Sequence, residues 1–160
     1  MTSSNVAGSL RLVAVKAEGM QRLIPFVRAF YEHFNYRYEE PEKVSAMKRM
    51  LRDRSLGRVW LIRHEGTDVG YLLLAFSFSL ESNGRIAFVD ELFLEPSYRE
   101  KGIGAAVLKK VESVCVRLGI KTLRLESEGH NERATALYAR MGYIDHGRHL
   151  MSKQLKGGRA

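Results

Sequence analysis

Apolar and polar positions alternate along this chain with two different periods, and the changes of period mark its elements. Residues 10–15 alternate weakly and read as a first strand. From residue 18 to 34 the side chains of Leu23, Phe26, Val27, Phe30, Tyr31 and Phe34 recur at three- and four-residue spacing, which makes one face of a helix. Pro25 lies inside that stretch and either kinks the helix or begins it. Pro41 opens a second helix, with Val44, Met47, Met50 and Leu51 on one side. Strands over residues 58–63, 69–80 and 85–94 follow, joined by turns at Glu65-Gly66-Thr67-Asp68 and Ser82-Asn83-Gly84. Turns this short make the three strands an antiparallel meander. The helical period returns at Val107, Leu108, Val111, Val114, Cys115 and Leu118, and Gly119 ends it. Residues 120–126 read as a strand. Asn131 caps a further helix that Gly142 stops, and residues 143–147 and 150–155 read as two last strands.

The order β-α-α-β-β-β-α-β-α-β-β describes an α/β chain with a mixed sheet. The strand after the central helix returns by a crossover, so it can lie parallel to the strand that ends at Leu94. No linker, repeat or low-complexity segment divides the 160 residues, and that length suits one domain over 1–160, with frayed ends at 1–9 and 156–160. No apolar run reaches the length of a membrane span, and the first nine residues lack the apolar stretch of a signal peptide, so a cytoplasmic protein is expected. The formal net charge of +8 could mark a nucleic-acid binder, but the basic residues are spread along the chain apart from a cluster at 153–159, and no nucleic-acid motif accompanies them. The charge reads instead as a solvated surface that attracts an anionic ligand. Cys115, the one cysteine, excludes an internal disulfide and sits on the apolar stripe of its helix as a structural thiol. His33 and His130 have no metal-like spacing, and no metal is expected.

The candidate chemistry is concentrated in residues 89–104, V-D-E-L-F-L-E-P-S-Y-R-E-K-G-I-G. An apolar strand carrying Asp90 and Glu91 runs to a turn at Pro96, then to a basic, glycine-bearing loop, then directly into a helix. Such a junction directs backbone N–H groups at one spot and adds the positive end of a helix dipole, which suits a phosphate-rich ligand. Gly102 and Gly104 let that ligand approach the backbone. The loop is not a Walker motif, because Ala105 and Ala106 stand where Lys and Ser or Thr belong. It is not a dinucleotide fingerprint either, because Val107 stands at the third glycine.

The longer pattern R-x-x-G-x-G, at Arg99, Gly102 and Gly104, resembles the pyrophosphate-binding motif of the GNAT N-acetyltransferase superfamily. Asn131, Glu132, Arg133, Ala134, Leu137, Tyr138 and Gly142-Tyr143 resemble a second region of that family, and D-E-L-F-L-E-P-S-Y-R is similar to the matching segment of diamine acetyltransferases. The resemblance is strong over residues 58–155. It implies the GNAT acyltransferase fold, with a V-shaped splay between neighbouring strands at the cofactor site, and acetyl-CoA as cosubstrate. Arg99, Glu100, Lys101, Gly102, Ile103, Gly104 and Ala105 would wrap the pyrophosphate, with Glu100 where many relatives have glycine. Leu92, Phe93 and Leu94 would pair with the pantetheine arm, one of their N–H groups polarising the thioester, and Asn131 and Ala134 would complete the cofactor contacts.

The resemblance also makes Tyr138 the general acid toward the departing thiolate, although its position on an apolar helix face equally suits packing. An amine acceptor must lose a proton, and Asp90 and Glu91 are both candidates for the base. Strand alternation sends them to opposite faces unless a bulge intervenes, so only one is expected to face the acetyl group. No nucleophile-and-base arrangement is evident, which favours direct transfer in a ternary complex. The aromatic and acidic run at residues 30–42, together with 76–85, is expected to line the acceptor groove and to favour a small cationic amine such as a diamine or polyamine. A small-molecule amine, not a nucleic acid or a membrane, is the expected partner, with a homodimer as the candidate assembly. The alternatives are an acetyltransferase of a peptide N-terminus or protein lysine, and a non-catalytic acyl-CoA-binding regulatory module.

Overall fold

The structure is a computed structural model that describes residues 9–127 and 132–155, the side chain of Arg133 excepted. The chain divides into two compact units, Met1–Glu126 and Ser127–Ala160. The expected fraying of 1–9 and 156–160 falls, Ser9 aside, outside the described residues.

The first unit holds β1 (Leu10–Ala14), α1 (Met20–His33), α2 (Glu40–Arg52), β2 (Gly57–His64), β3 (Thr67–Ser79), β4 (Gly84–Leu94), α3 (Ile103–Arg117) and β5 (Thr122–Leu125). The sheet runs β1-β2-β3-β4-β5; the first four strands are antiparallel and β5 lies parallel to β4. Both faces are covered, which is why β2 and β3 read as nearly continuous apolar runs. On one face the stripe Ile103, Val107, Val111 and Cys115 of α3 packs on Trp60, Ile62, Leu72, Leu74 and Ala87. On the other, Leu23, Val27 and Phe30 of α1 and Met47 of α2 pack on Val59, Leu61, Tyr71 and Phe93. Pro25 lies inside α1, and Pro41 occupies the first turn of α2, where its missing N–H costs nothing. Burial raises the Cys115 thiol to about 11, as befits a packing residue.

Two irregularities shape one end of β4. The register pairs Leu73 with Glu91 but Leu74 with Val89, so Asp90 is an extra residue, a β-bulge. The parallel ladder to β5 stops at Val89, while β4 continues to Leu94. Asp90 to Leu94 therefore run on without a β5 partner, which is the opening between neighbouring strands that the resemblance implied. Nearby, a Cβ on Gly70 would stand 2.0 Å from the carbonyl oxygen of Phe93, so only glycine lets β3 approach β4 so closely there.

The second unit contains α4 (Glu132–Arg140). Gly142 ends it at φ +87°, where the amide of Tyr143 donates to the Tyr138 carbonyl and that of Gly142 to the Ala139 carbonyl, each at 3.0 Å. The expected cap at Asn131 lies outside the described residues. The two strands expected over 143–147 and 150–155 do not form. Gly147 has φ +61° and its amide donates to the Asp145 carboxylate at 2.7 Å, a local turn that breaks the first segment. Alternation alone makes no strand without a ladder, and Ile144, Leu150, Met151 and Leu155 stand exposed.

Candidate functional site

The bulge decides where the two acids go. Val89 and Leu92 pack toward the α3 face and Phe93 toward the α1–α2 face. With one residue inserted between Val89 and Glu91, both Asp90 and Glu91 line one pocket of about 200 Å³, bounded by α1, α2, β3 and β4. The expectation that only one acid could face the site is therefore corrected: the inserted residue cancels the alternation.

The two carboxylates are held differently. Glu91 is half-buried and accepts hydrogen bonds from the Tyr71 hydroxyl at 2.7 Å and the Tyr31 hydroxyl at 2.9 Å. Burial raises its pKa; the Tyr71 and Tyr31 hydroxyls pull it down, the charge of Asp90 pushes it up, and Lys43 opposes that push. Burial and the adjacent Glu91 hold both phenols well above their usual range, so they stay protonated and donate. Asp90 opens to solvent, has no hydrogen-bond partner among the described residues, and burial of its carboxyl alone raises its pKa. One acid is fixed and its neighbour is free.

Residues 99–105 form the second component. Glu100 (φ +64°) and Gly102 (φ +78°) are both left-handed, a conformation that explains the glycine at 102 and strains the glutamate at 100. The first helical bond of α3 runs from the Ala106 amide to the Gly102 carbonyl at 3.1 Å, and no side chain caps the helix. The amides of Ile103, Gly104 and Ala105 thus have no intrahelical acceptor. A Cβ on Gly104 would meet nothing closer than 4.0 Å, so the space beside this turn is open. The Arg99 side chain turns back: Nε donates to the Leu94 carbonyl at 2.8 Å, the guanidinium lies 5.3 Å from the centre of the Phe93 ring, and Nη1 lies 3.2 Å from His33 Nε2. It braces the end of β4 against the end of α1. Lys101 lies over the Tyr98 ring. The donor set here, uncapped amides beside an unpaired strand edge, fits a ligand with a phosphate end and an amide-bearing arm.

The acceptor groove was only partly legible. Of residues 30–42 only Tyr31 lines the pocket, and of 76–85 none does. Phe30 is core, Phe34 and Tyr36 stack at 5.6 Å on the surface, Glu40 pairs with Arg28, and Glu39 pairs with Arg37. Phe78 and Leu80 lie exposed around the far end of the β3–β4 hairpin. Sequence reasoning missed Tyr71, Lys43, Met47 and Met50 as pocket residues. Tyr71 left a signal: a phenol in an apolar strand run needs a hydrogen-bond partner.

The comparisons with known proteins agree on one family. The acetyltransferase (GNAT) family model matches residues 25–143, which span α1 to α4. The chain belongs to the GNAT acetyltransferase family. Thialysine N-epsilon-acetyltransferase of Bos taurus is 39% identical over 77 residues, 48% of this chain and 45% of that protein. The uncharacterized N-acetyltransferase YhfO of Bacillus subtilis is 33% identical over 85 residues, 53% of this chain and 57% of that one. This chain spans about half the length of these curated relatives. Among solved structures, the integron cassette protein HFX_CASS3 from the mobile metagenome of Cole Harbour Salt Marsh superposes with TM-score 0.81 at 30% identity, over 97% of this chain and 95% of that one. AAC(6')-Iy, solved with a CoA bisubstrate analogue, shares the fold at TM-score 0.76 and 10% identity, over 91% of this chain and 98% of that one.

The GNAT match includes the second unit's candidates. Tyr138 and Ala134 lie on α4, with the Tyr138 ring 5.9 Å from that of Tyr143 and its hydroxyl raised by burial. Asn131 lies outside the described residues. Among the described residues no cluster of His, Cys, Asp and Glu could hold a metal ion, and no helix is long and apolar enough to cross a membrane.

Proposed function

We propose that this GNAT chain is an acetyl-CoA-dependent N-acetyltransferase that moves an acetyl group directly to a primary amine of a small molecule, one that is a cation in solution. The observation that carries this reading is the bulge, which puts a free carboxylate and a fixed one in one pocket where β4 loses its β5 partner. Acetyl-CoA supplies the activated acetyl thioester. The residues 99–105, chiefly through the amides that open α3, hold its pyrophosphate, and the edge of Leu92, Phe93 and Leu94 holds its amide-bearing arm. Asn131 and Ala134 are assigned to the same arm from the family motif.

An ammonium cannot attack a thioester, so the acceptor must first give up a proton. Asp90 takes it, being open, unpartnered and made more basic by burial. Glu91 has its oxygens engaged by Tyr31 and Tyr71, so it acts as a fixed negative charge that orients the cation. An amide of Leu92, Phe93 or Leu94 polarises the thioester carbonyl. A C–N bond forms and the C–S bond breaks; of the two protons the ammonium loses, the first ends on Asp90 and the second, released as the adduct collapses, replaces the one that Tyr138 gives to the departing sulfur. Release of CoA from acetyl-CoA, measured against a panel of amines, tests the reading. Turnover with small cationic amines and its loss in Asp90→Asn is expected. Acetyl-CoA binding with no amine acetylated would leave a regulatory module instead.

A further inference from the structure

We infer that the acceptor carries a carboxylate as well as its amine, and that Lys43 reads it; the inference deepens the acetyltransferase reading and rests on it. Lys43 lines the same pocket as Asp90 and Glu91 and is half-buried. Its ammonium lies 4.2 Å from the centre of the Tyr31 ring and donates to the Tyr31 hydroxyl at 3.1 Å, and that hydroxyl donates on to Glu91 at 2.9 Å. The protein's own cation therefore occupies the aromatic face that an incoming ammonium would seek. It also has three donors, of which one is accounted for, and among the described residues no ion pair includes it. Tyr31 stands between Lys43 and Glu91, so the opposite charges do not collapse into a salt bridge.

The lining of the pocket thus carries two carboxylates, Asp90 and Glu91, and one cation, Lys43. A diamine has no group for Lys43 to hold, whereas an amino-carboxylate offers its ammonium to the acids and its carboxylate to Lys43.

The test compares each amino acid with its decarboxylated amine: L-lysine with cadaverine, and L-leucine with isoamylamine. Binding to the CoA-saturated protein is measured by calorimetry, so that no turnover is needed. The amino acid is expected to bind about tenfold tighter than its amine, the worth of one charged hydrogen bond. Lys43→Met, which keeps the stem, should bring the two within about threefold, and Lys43→Arg should retain the preference. Equal preference in Lys43→Met and wild type, tighter binding of the amines by wild type, or no binding of either member overturns the inference. Fold is checked by the melting temperature of each variant. CoA release is then followed separately: Lys43-dependent binding of amino acids without CoA release would support the carboxylate site and sink the acetyltransferase reading.

Discussion

The two halves of β4 belong to one continuous strand and do different work. From Ile86 to Val89 the strand is paired on both sides, to β3 and to β5, and its side chains pack in the core or against its neighbours. From Asp90 to Leu94 the β5 partner is gone, an extra residue has shifted the pleat, and two acids line a pocket. The first half makes the sheet, and the second uses the sheet as a frame. The difference lies in what is withheld: a strand partner on one edge and one step of regular alternation. A site made this way keeps rigid support from β3 and from the packed helices while freeing backbone and side-chain groups for a ligand.

Several changes would break or sharpen this contrast. The largest effect should come from Gly104→Val. A Cβ there meets nothing nearer than a Leu94 methyl at 4.0 Å, so the fold should survive, while acetyl-CoA affinity should fall about a hundredfold or more as bulk enters the space beside the free amides. Unchanged affinity in titration calorimetry of the folded variant would remove the loop from the cofactor site. Tyr138→Phe should lower kcat by roughly ten- to a thousandfold with little change in acetyl-CoA affinity. Wild-type single-turnover rates would leave Tyr138 as a packing residue.

Deleting Asp90 tests the bulge directly. Without it, Val89, Glu91 and Leu92 alternate correctly, so the variant should fold with a melting temperature near wild type and lose most of its turnover. A variant that unfolds instead would show the bulge to be structural. Asp90→Asn is gentler and carries a pH signature. It should lower kcat/KM by about a hundredfold at neutral pH, and the deficit should narrow as pH falls through the raised pKa of Asp90, where the wild type loses its base too. Burial raises the pKa of Asp90 on folding, so its contribution to stability is favourable below the unfolded value of about 3.9 and is lost as pH rises through the folded one. Asp90→Asn should therefore melt at or above the wild-type temperature at pH 7, and the gap should close on acidification.

Glu91→Gln should show the reverse balance. It weakens two hydroxyl contacts, at a cost of about 1–2 kcal/mol in denaturant titration, and leaves the shape of the pH–rate profile unchanged. Just before the doubly paired half, Arg85→Gln should change stability by about 0.5 kcal/mol or less and leave kinetics alone.

Most of the fold was legible in the sequence because it depends on local signals. Helical spacing at Val107, Val111 and Cys115, the proline at 41 and the glycines at 119 and 142 report short-range geometry, and each element they marked is present within a few residues of its expected bounds. The two C-terminal strands failed because their alternation was a local pattern with no partner to pair with. The loop at 99–105 was legible for the same reason as the helices: a turn and a helix start are written in neighbouring residues. The sequence by itself determined the elements, their order, the family motifs and which residue types stand near the site. Only the tertiary structure decided that Asp90 and Glu91 share a pocket, that two distant tyrosines fix one of them, and that Lys43 lines the same pocket. A bulge is a mismatch between two strands, and a hydrogen bond between residues sixty positions apart exists only once the sheet has brought them together.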